Sequence, residues 1–223
     1  MSLVVSTFTL YRRFWREFLL ASGSVFAAIW LSIGISVALG HDLRDVRAVA
    51  LFLGLLGVYY AVVLVIIIAG EACEVERISL WQGYRSSPLG LVTSIGVVGG
   101  IALAMLIVLL IPLIGIAGAL YLYIRLSTGF EAAVLERLNP LEAMRQAWNL
   151  TKGRFWMAAL HAVIQHGYLL ALVTLMALLP HLALGVTLIA VGLPAFAIAR
   201  VLSYRGLIAA QRSDKGLPPF PIG

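Results

Sequence analysis

Apolar residues in this chain come in long runs that polar residues interrupt only at intervals. Six runs are long enough to cross a bilayer: Leu19–Leu39, Val49–Ala69, Leu89–Leu110, Leu113–Ala133, Phe155–Leu179 and Leu182–Leu207. A helix rises ~1.5 Å per residue and the hydrocarbon core is ~30 Å thick, so ~20 apolar residues suffice. Backbone groups in lipid must pair within their own segment, which predicts helix in every run. A transmembrane barrel would show short alternating segments, and the sequence has none. The predicted fold class is all-α, a polytopic membrane protein with six transmembrane helices.

Composition agrees. Hydrophobic residues make up 62% of the 223 positions and charged residues 12%, about half the share of a soluble domain. The charges that remain are unevenly placed. Of the connections, Gly40–Arg47, Ile111–Gly115 and Pro180–Gly185 carry only Arg44 and Arg47, balanced by Asp42 and Asp45. The other fourteen of the sixteen Lys/Arg fall on the opposite face with eight of the ten acidic residues, and 14 − 8 gives the whole net charge of +6. Positive loops stay cytoplasmic, so both termini are expected on the cytoplasmic side of the membrane. The basic balance points to anionic lipid headgroups as partners. Nucleic acid is excluded, because no basic run is interleaved with stacking aromatics. No cleavable signal is expected, since Met1–Leu10 lacks a charged start. The lone Cys73 has no internal disulfide partner and reads as a small buried apolar residue.

The chain also repeats itself. Glu71, Glu76, Arg77 and Arg85 recur sixty residues on as Glu131, Glu136, Arg137 and Arg145. Ser79-Leu80-Trp81-Gln82 recurs as Asn139-Pro140-Leu141-Glu142, and both stretches fit a capping box that starts a helix. Pro140 stands at the first helical position, where its missing donor costs nothing. The spacing predicts short interfacial helices over Leu80–Ser87 and Pro140–Lys152. In the second, Leu141, Met144 and Trp148 share a face opposite Glu142, Arg145, Gln146 and Asn149. A third amphipathic stretch lies at the N-terminus, with Tyr11, Phe14, Trp15 and Phe18 on one stripe and Arg12, Arg13, Arg16 and Glu17 opposite. Arg13-Phe14-Trp15 recurs as Arg154-Phe155-Trp156. The predicted unit is an interfacial amphipathic helix followed by a two-span hairpin, used three times. It gives one membrane domain, 1–223, with units near 1–70, 71–133 and 134–210 and a cytoplasmic tail at 211–223. Phe14, Trp15, Trp81, Trp148 and Trp156 are the expected interfacial anchors.

Glu131–Trp156 contains an acidic-arginine pair, a Pro-capped helix with Ala and Trp, and Thr-Lys-Gly-Arg-Phe-Trp entering a span. It resembles the signature of a bacterial integral membrane protein superfamily related to the membrane domain of glycerophosphodiester phosphodiesterases. Tyr204-Arg205-Gly206-Leu207 is similar to that group's last-helix ending. The resemblance implies six helices in this arrangement. It implies no catalysis, because the phosphodiesterase chemistry of those proteins belongs to a separate soluble barrel domain. No catalytic residue is carried over.

Ionisable groups inside spans are functional candidates by default. Arg125, Glu71, Glu131 and Arg200 fall at comparable depth and are expected to form a charged cluster, with Arg125 paired to Glu71 or Glu131. The cluster reads either as structural ion pairing with snorkelling or as a headgroup or anion site built on Arg125 and Arg200. His161, Gln165 and Tyr168 share one face of the fifth span, and His166 lies about 140° around from His161. Histidines in a bilayer ligate haem or chlorin metals. A bis-His haem needs facing histidines from two helices, so interhelical hydrogen bonding is the preferred role and no cofactor or metal is expected. No phosphate-binding glycine loop and no nucleophile elbow is present.

Three functions fit these residues. The first is a non-enzymatic scaffold or accessory subunit touching lipid and other membrane proteins, or its own copies. The second is a small lipid-handling protein or solute transporter. The third is a haem- or chlorin-binding subunit of an electron-transfer or photosynthetic complex, resting on His161 or His166.

Overall fold

A computed structural model of the protein describes residues 3–38, 43–73, 79–110, 115–178 and 182–216. Among the described residues the chain is helical throughout, with no strand. The helices are α1 (Leu3–Arg13), α2 (Trp15–Ala38), α3 (Leu43–Ala72), α4 (Leu80–Leu109), α5 (Gly115–Leu126), α6 (Gly129–Leu135), α7 (Pro140–Thr151), α8 (Phe155–Leu178) and α9 (Leu182–Asp214).

The centre is α3, flanked by α2, α4, α6 and α9. From Val63 to Ala69 no residue is more than 8% exposed. A helix apolar on every side belongs in a core or a bilayer, and here the V-L-V-I-I-I-A run fills the bundle axis. A second cluster joins Val97 and Ile101 of α4, Ala132 and Ala133 of α6, Leu150 of α7 and Tyr204 of α9.

Packing of α4 is inverted relative to a soluble helix. Gly83, Ser87, Gly90, Ser94, Val97 and Ile101 face the bundle at alternating spacings of four and three. The large apolar residues, including Leu89, Val92, Leu103 and Leu106, face outward. Small residues inside and large ones outside is the arrangement expected when lipid is the solvent, because close backbone approach then drives helix association. The approach is tight: a Cβ on Gly96 would come within 2.6 Å of Pro140 in α7.

Two helices run through a proline because side chains serve the carbonyl it frees. Pro88 lacks the N–H that would reach Tyr84 O, and Ser87 Oγ lies 2.9 Å from that oxygen instead. Tyr60 on α3 completes the chain to the Ser87 hydroxyl. Pro194 in α9 leaves Ala190 O, and Ser22 Oγ of α2 lies 2.9 Å from it. Tyr11 and Tyr168 donate to the next carbonyls, Val191 O and Gly192 O, each at 3.1 Å. Burial, with Tyr168 nearby, pushes the Tyr11 hydroxyl above its ordinary value, so it remains a donor.

Several expectations need correction. Three helical stretches among the described residues are long and apolar enough to cross a membrane: Leu80–Leu109, Phe155–Leu172 and Ala190–Asp214. The expected span Leu113–Ala133 is not one helix. It is divided at Ser127–Thr128 into α5 and α6, and the 12 residues of α5 cover only about 18 Å. Leu80–Ser87 is not a separate interfacial helix either. It is the first part of α4, because Ser87 makes Pro88 tolerable. The unit of interfacial helix plus hairpin is therefore not built three times alike. Pro140–Thr151 does stand apart as α7, closed at its start by a reciprocal capping box between Asn139 and Glu142. At the N-terminus the helix changes at Phe14. Phe14 and Phe18 enter the core while Trp15 turns outward, with Arg16 over its ring.

Candidate functional site

Among the described residues, two polar sites stand out in this bundle. One is buried where α5, α6, α8 and α9 meet. Arg200 of α9 donates through Nε to Oε1 of Glu131, which is 2% exposed, and through Nη2 to Ser127 O at 3.0 Å. The break between α5 and α6 places that carbonyl within reach of the guanidinium. The guanidinium also lies over Phe130 and Phe196, 5.0 and 5.8 Å from the ring centroids, where cation–π attraction adds to the pairing. Beside the pair, Gln165 Nε2 donates to Ser203 Oγ at 2.8 Å. A cavity of about 10 Å³, the size of one water, lies between these groups and His161 and Thr128. His161 Nδ1 and Thr128 Oγ1 are buried without a hydrogen-bond partner among the described residues.

Arg200 and Glu131 are thus brought together, and Arg125 and Glu71 are not. The expected pairing of Arg125 with either carboxylate is overturned. Arg125 and Glu131 are six residues apart, about 120° around a helix, and the break at Ser127 intervenes. Arg125 instead donates to Tyr121 Oη at 3.0 Å and to Thr151 Oγ1 at 3.4 Å. It is sandwiched over Tyr121 and Trp148, at 5.2 and 4.9 Å.

His166 spends both ring nitrogens, with Nε2 against Tyr123 Oη and Nδ1 against Ala162 O. His161 and His166 belong to one helix, and His41 and His181 lie outside the described residues. No group of three potential metal ligands occurs among the described residues. Of the expected anchors, Phe14 is a core residue and not an anchor. Trp15, Trp81, Trp148 and Trp156 are exposed, Trp81 and Trp156 by 78% and 82%.

The second site is an open cleft of about 700 Å³ between the C-terminal ends of α3 and α6 and the flanks of α7 and α9. Its size falls in the range of small-molecule sites. Ile67, Val134, Leu135, Leu150 and Ile208 supply an apolar surface. Glu71, Glu136, Arg137, Gln146, Asn149 and Arg205 supply polar groups. Glu136 is fixed in place: Tyr204, only 1% exposed, donates to its Oε1, and Gln146 Nε2 donates to Oε2 at 2.7 Å. Gln146 also reaches Tyr204 Oη at 2.9 Å. Arg205 Nη2 donates to Gly70 O at 2.9 Å, tying α9 to α3. Arg137 follows the end of α6 in the left-handed region at φ 55°, a position usually taken by glycine. Such a conformation costs on the order of 1 kcal/mol for a residue with a Cβ.

No family model, no curated protein and no solved structure matches this chain. The sequence singled out Glu136-Arg137 as a repeat and Tyr204-Arg205 as an ending, but not the contact between them. Glu136 and Tyr204 are 68 positions apart, and neither pattern carries a signal that they meet.

Proposed function

We propose that the chain is an integral membrane protein without catalytic chemistry of its own, acting as a scaffold or accessory subunit in contact with lipid and other membrane proteins. The observation that carries this reading is the inverted packing of α4, with glycine and serine inward and leucine, valine and isoleucine outward. α2, α3, α4, the α5–α6 pair, α8 and α9 then provide six crossings. The charge split supports a cytoplasmic side for both termini and for the 71–85 and 131–154 segments, and the resemblance of Glu131–Trp156 supports a bacterial inner membrane.

A second reading, a lipid-handling protein, is favoured by the mixed apolar and charged cleft. The haem or chlorin reading is disfavoured at His166, whose two ring nitrogens are engaged within the bundle. Isolation in mild detergent tests the first reading. It expects a species larger than the 24.1 kDa chain with its detergent belt. A strict monomer that hydrolyses a phosphodiester, or moves a solute unaided in liposomes, contradicts it.

A further inference from the structure

We infer that the cleft between α3, α6, α7 and α9 binds a zwitterionic phosphoethanolamine headgroup, with Glu136 receiving the ammonium and Arg137 and Asn149 the phosphate.

Three features of the cleft carry this. First, the charges among the described lining residues balance, Glu71 and Glu136 against Arg137 and Arg205. A ligand bearing separated charges of both signs is matched by such a wall. A net anion leaves the carboxylates opposed to it. Second, Glu136 is held by two neutral donors, Tyr204 and Gln146, and has no cation partner among the described residues. Its position is fixed while its charge remains available, which is the preorganisation a binding group needs. A primary ammonium has three N–H donors for that carboxylate. A quaternary ammonium has none, and the Tyr204 ring is buried rather than presented as an aromatic wall.

Third, Arg137 keeps a left-handed backbone where glycine would be unstrained, and lines the cleft with no hydrogen-bond or ion-pair partner among the described residues. The Asn149 side chain lines it too, with no hydrogen-bond partner among the described residues. A guanidinium and an amide donor in one cleft suit phosphate oxygens. The apolar surface of Ile67, Leu135 and Ile208 accepts the glycerol and first methylenes of a lipid. The membrane reading bears only on the source of this ligand, not on its chemistry. A soluble glycerophosphoethanolamine offers the same charges.

The test is thermal unfolding of the delipidated full chain in detergent, with phosphatidylethanolamine, phosphatidylcholine or phosphatidylglycerol added at equal mole fraction. Phosphatidylethanolamine should raise Tm most. Arg137→Gly should abolish that increment, with apparent affinity weakened about tenfold or more, the loss of roughly one charged hydrogen bond. The substitution suits the backbone at φ 55°, so loss of response will not reflect loss of fold. Glu136→Gln should act in the same direction. Arg145→Gln, on the exposed side of α7 outside the cleft, should keep the full response. If soluble glycerophosphoethanolamine reproduces the shift, the headgroup alone is the ligand. If only the diacyl form does, the ligand is a membrane lipid, and either result supports the assignment. Equal shifts from all three lipids, or an ethanolamine-specific shift that survives Arg137→Gly, overturns it.

Discussion

The segment from Ser79 to Leu109 and the segment from Asn139 to Leu178 start from the same pattern and diverge within three turns. Both begin at a side-chain cap. After Ser79 the helix continues for 30 residues, past Pro88. After Asn139 it stops at Thr151, Gly153 takes φ 78°, and a new helix begins at Phe155. The residue expected to break a helix does not, and an ordinary Thr-Lys-Gly does. What differs is the company each residue keeps. Ser87 supplies the freed Tyr84 carbonyl with a replacement donor, and Tyr60 holds that hydroxyl. Beyond Gly153, Arg154 reaches α9, donating to Ala210 O at 2.9 Å and pairing with Asp214. The turn is fixed by where its next residue is anchored. The paired carboxylates of the repeat diverge in the same way. Glu131 is buried against Arg200, whereas its counterpart Glu71 lines the open cleft.

The largest effect should come from the buried carboxylate. Arg200→Ala leaves Glu131 charged and unpaired in the bundle, which costs ~3–5 kcal/mol. Adding Glu131→Gln removes the stranded charge and should recover much of that loss. Unfolding in mixed detergent micelles measures both, and a double variant no more stable than Arg200→Ala would contradict the pairing. Next comes the proline. Ser87→Ala should cost about 1–3 kcal/mol, because Tyr84 O and the Tyr60 hydroxyl lose their partner. Adding Pro88→Ala restores a backbone N–H and should recover much of the loss, so the two changes should be clearly non-additive. Simple additivity would mean that Ser87 does not support the proline. Gly153→Ala should cost ~1–2 kcal/mol, since a Cβ is disfavoured at φ 78°. A neutral result would show that the turn relaxes to another conformation. The caps give the smallest contrast. Asn139→Ala should cost ~1 kcal/mol, and Ser79→Ala about half that, because the reciprocal bond from the third residue closes only at Asn139.

Helical class and the α7 cap were legible in the sequence, since both depend on local pattern: long apolar runs in one case, Asn-Pro-Leu-Glu in the other. The continuity of α4 was not, because it depends on a Ser87–Tyr60 contact between helices. The break at Ser127 was hidden inside an apolar run whose composition does not change there. Arg200 and Glu131 were both visible as intramembrane charges. Their pairing was not, because Arg125 competed on sequence distance and only the α5–α6 break decides between them. The cleft was least legible of all. Glu136 stood out as part of the repeat and Tyr204 as part of the closing segment, but that they meet, with Gln146 between them, depends on three segments packing together.

In the proposed topology both capped segments lie on the cytoplasmic face of a membrane. In a Cys73→Ala background, Ser79→Cys, Asn139→Cys and Asp42→Cys can each be treated with a membrane-impermeant maleimide on intact cells. Ser79 and Asn139 are exposed in the fold, so burial will not block the reagent. The proposed topology predicts labelling at position 42 from outside, and at positions 79 and 139 only after the membrane is opened. External labelling at 79 or 139 would contradict it.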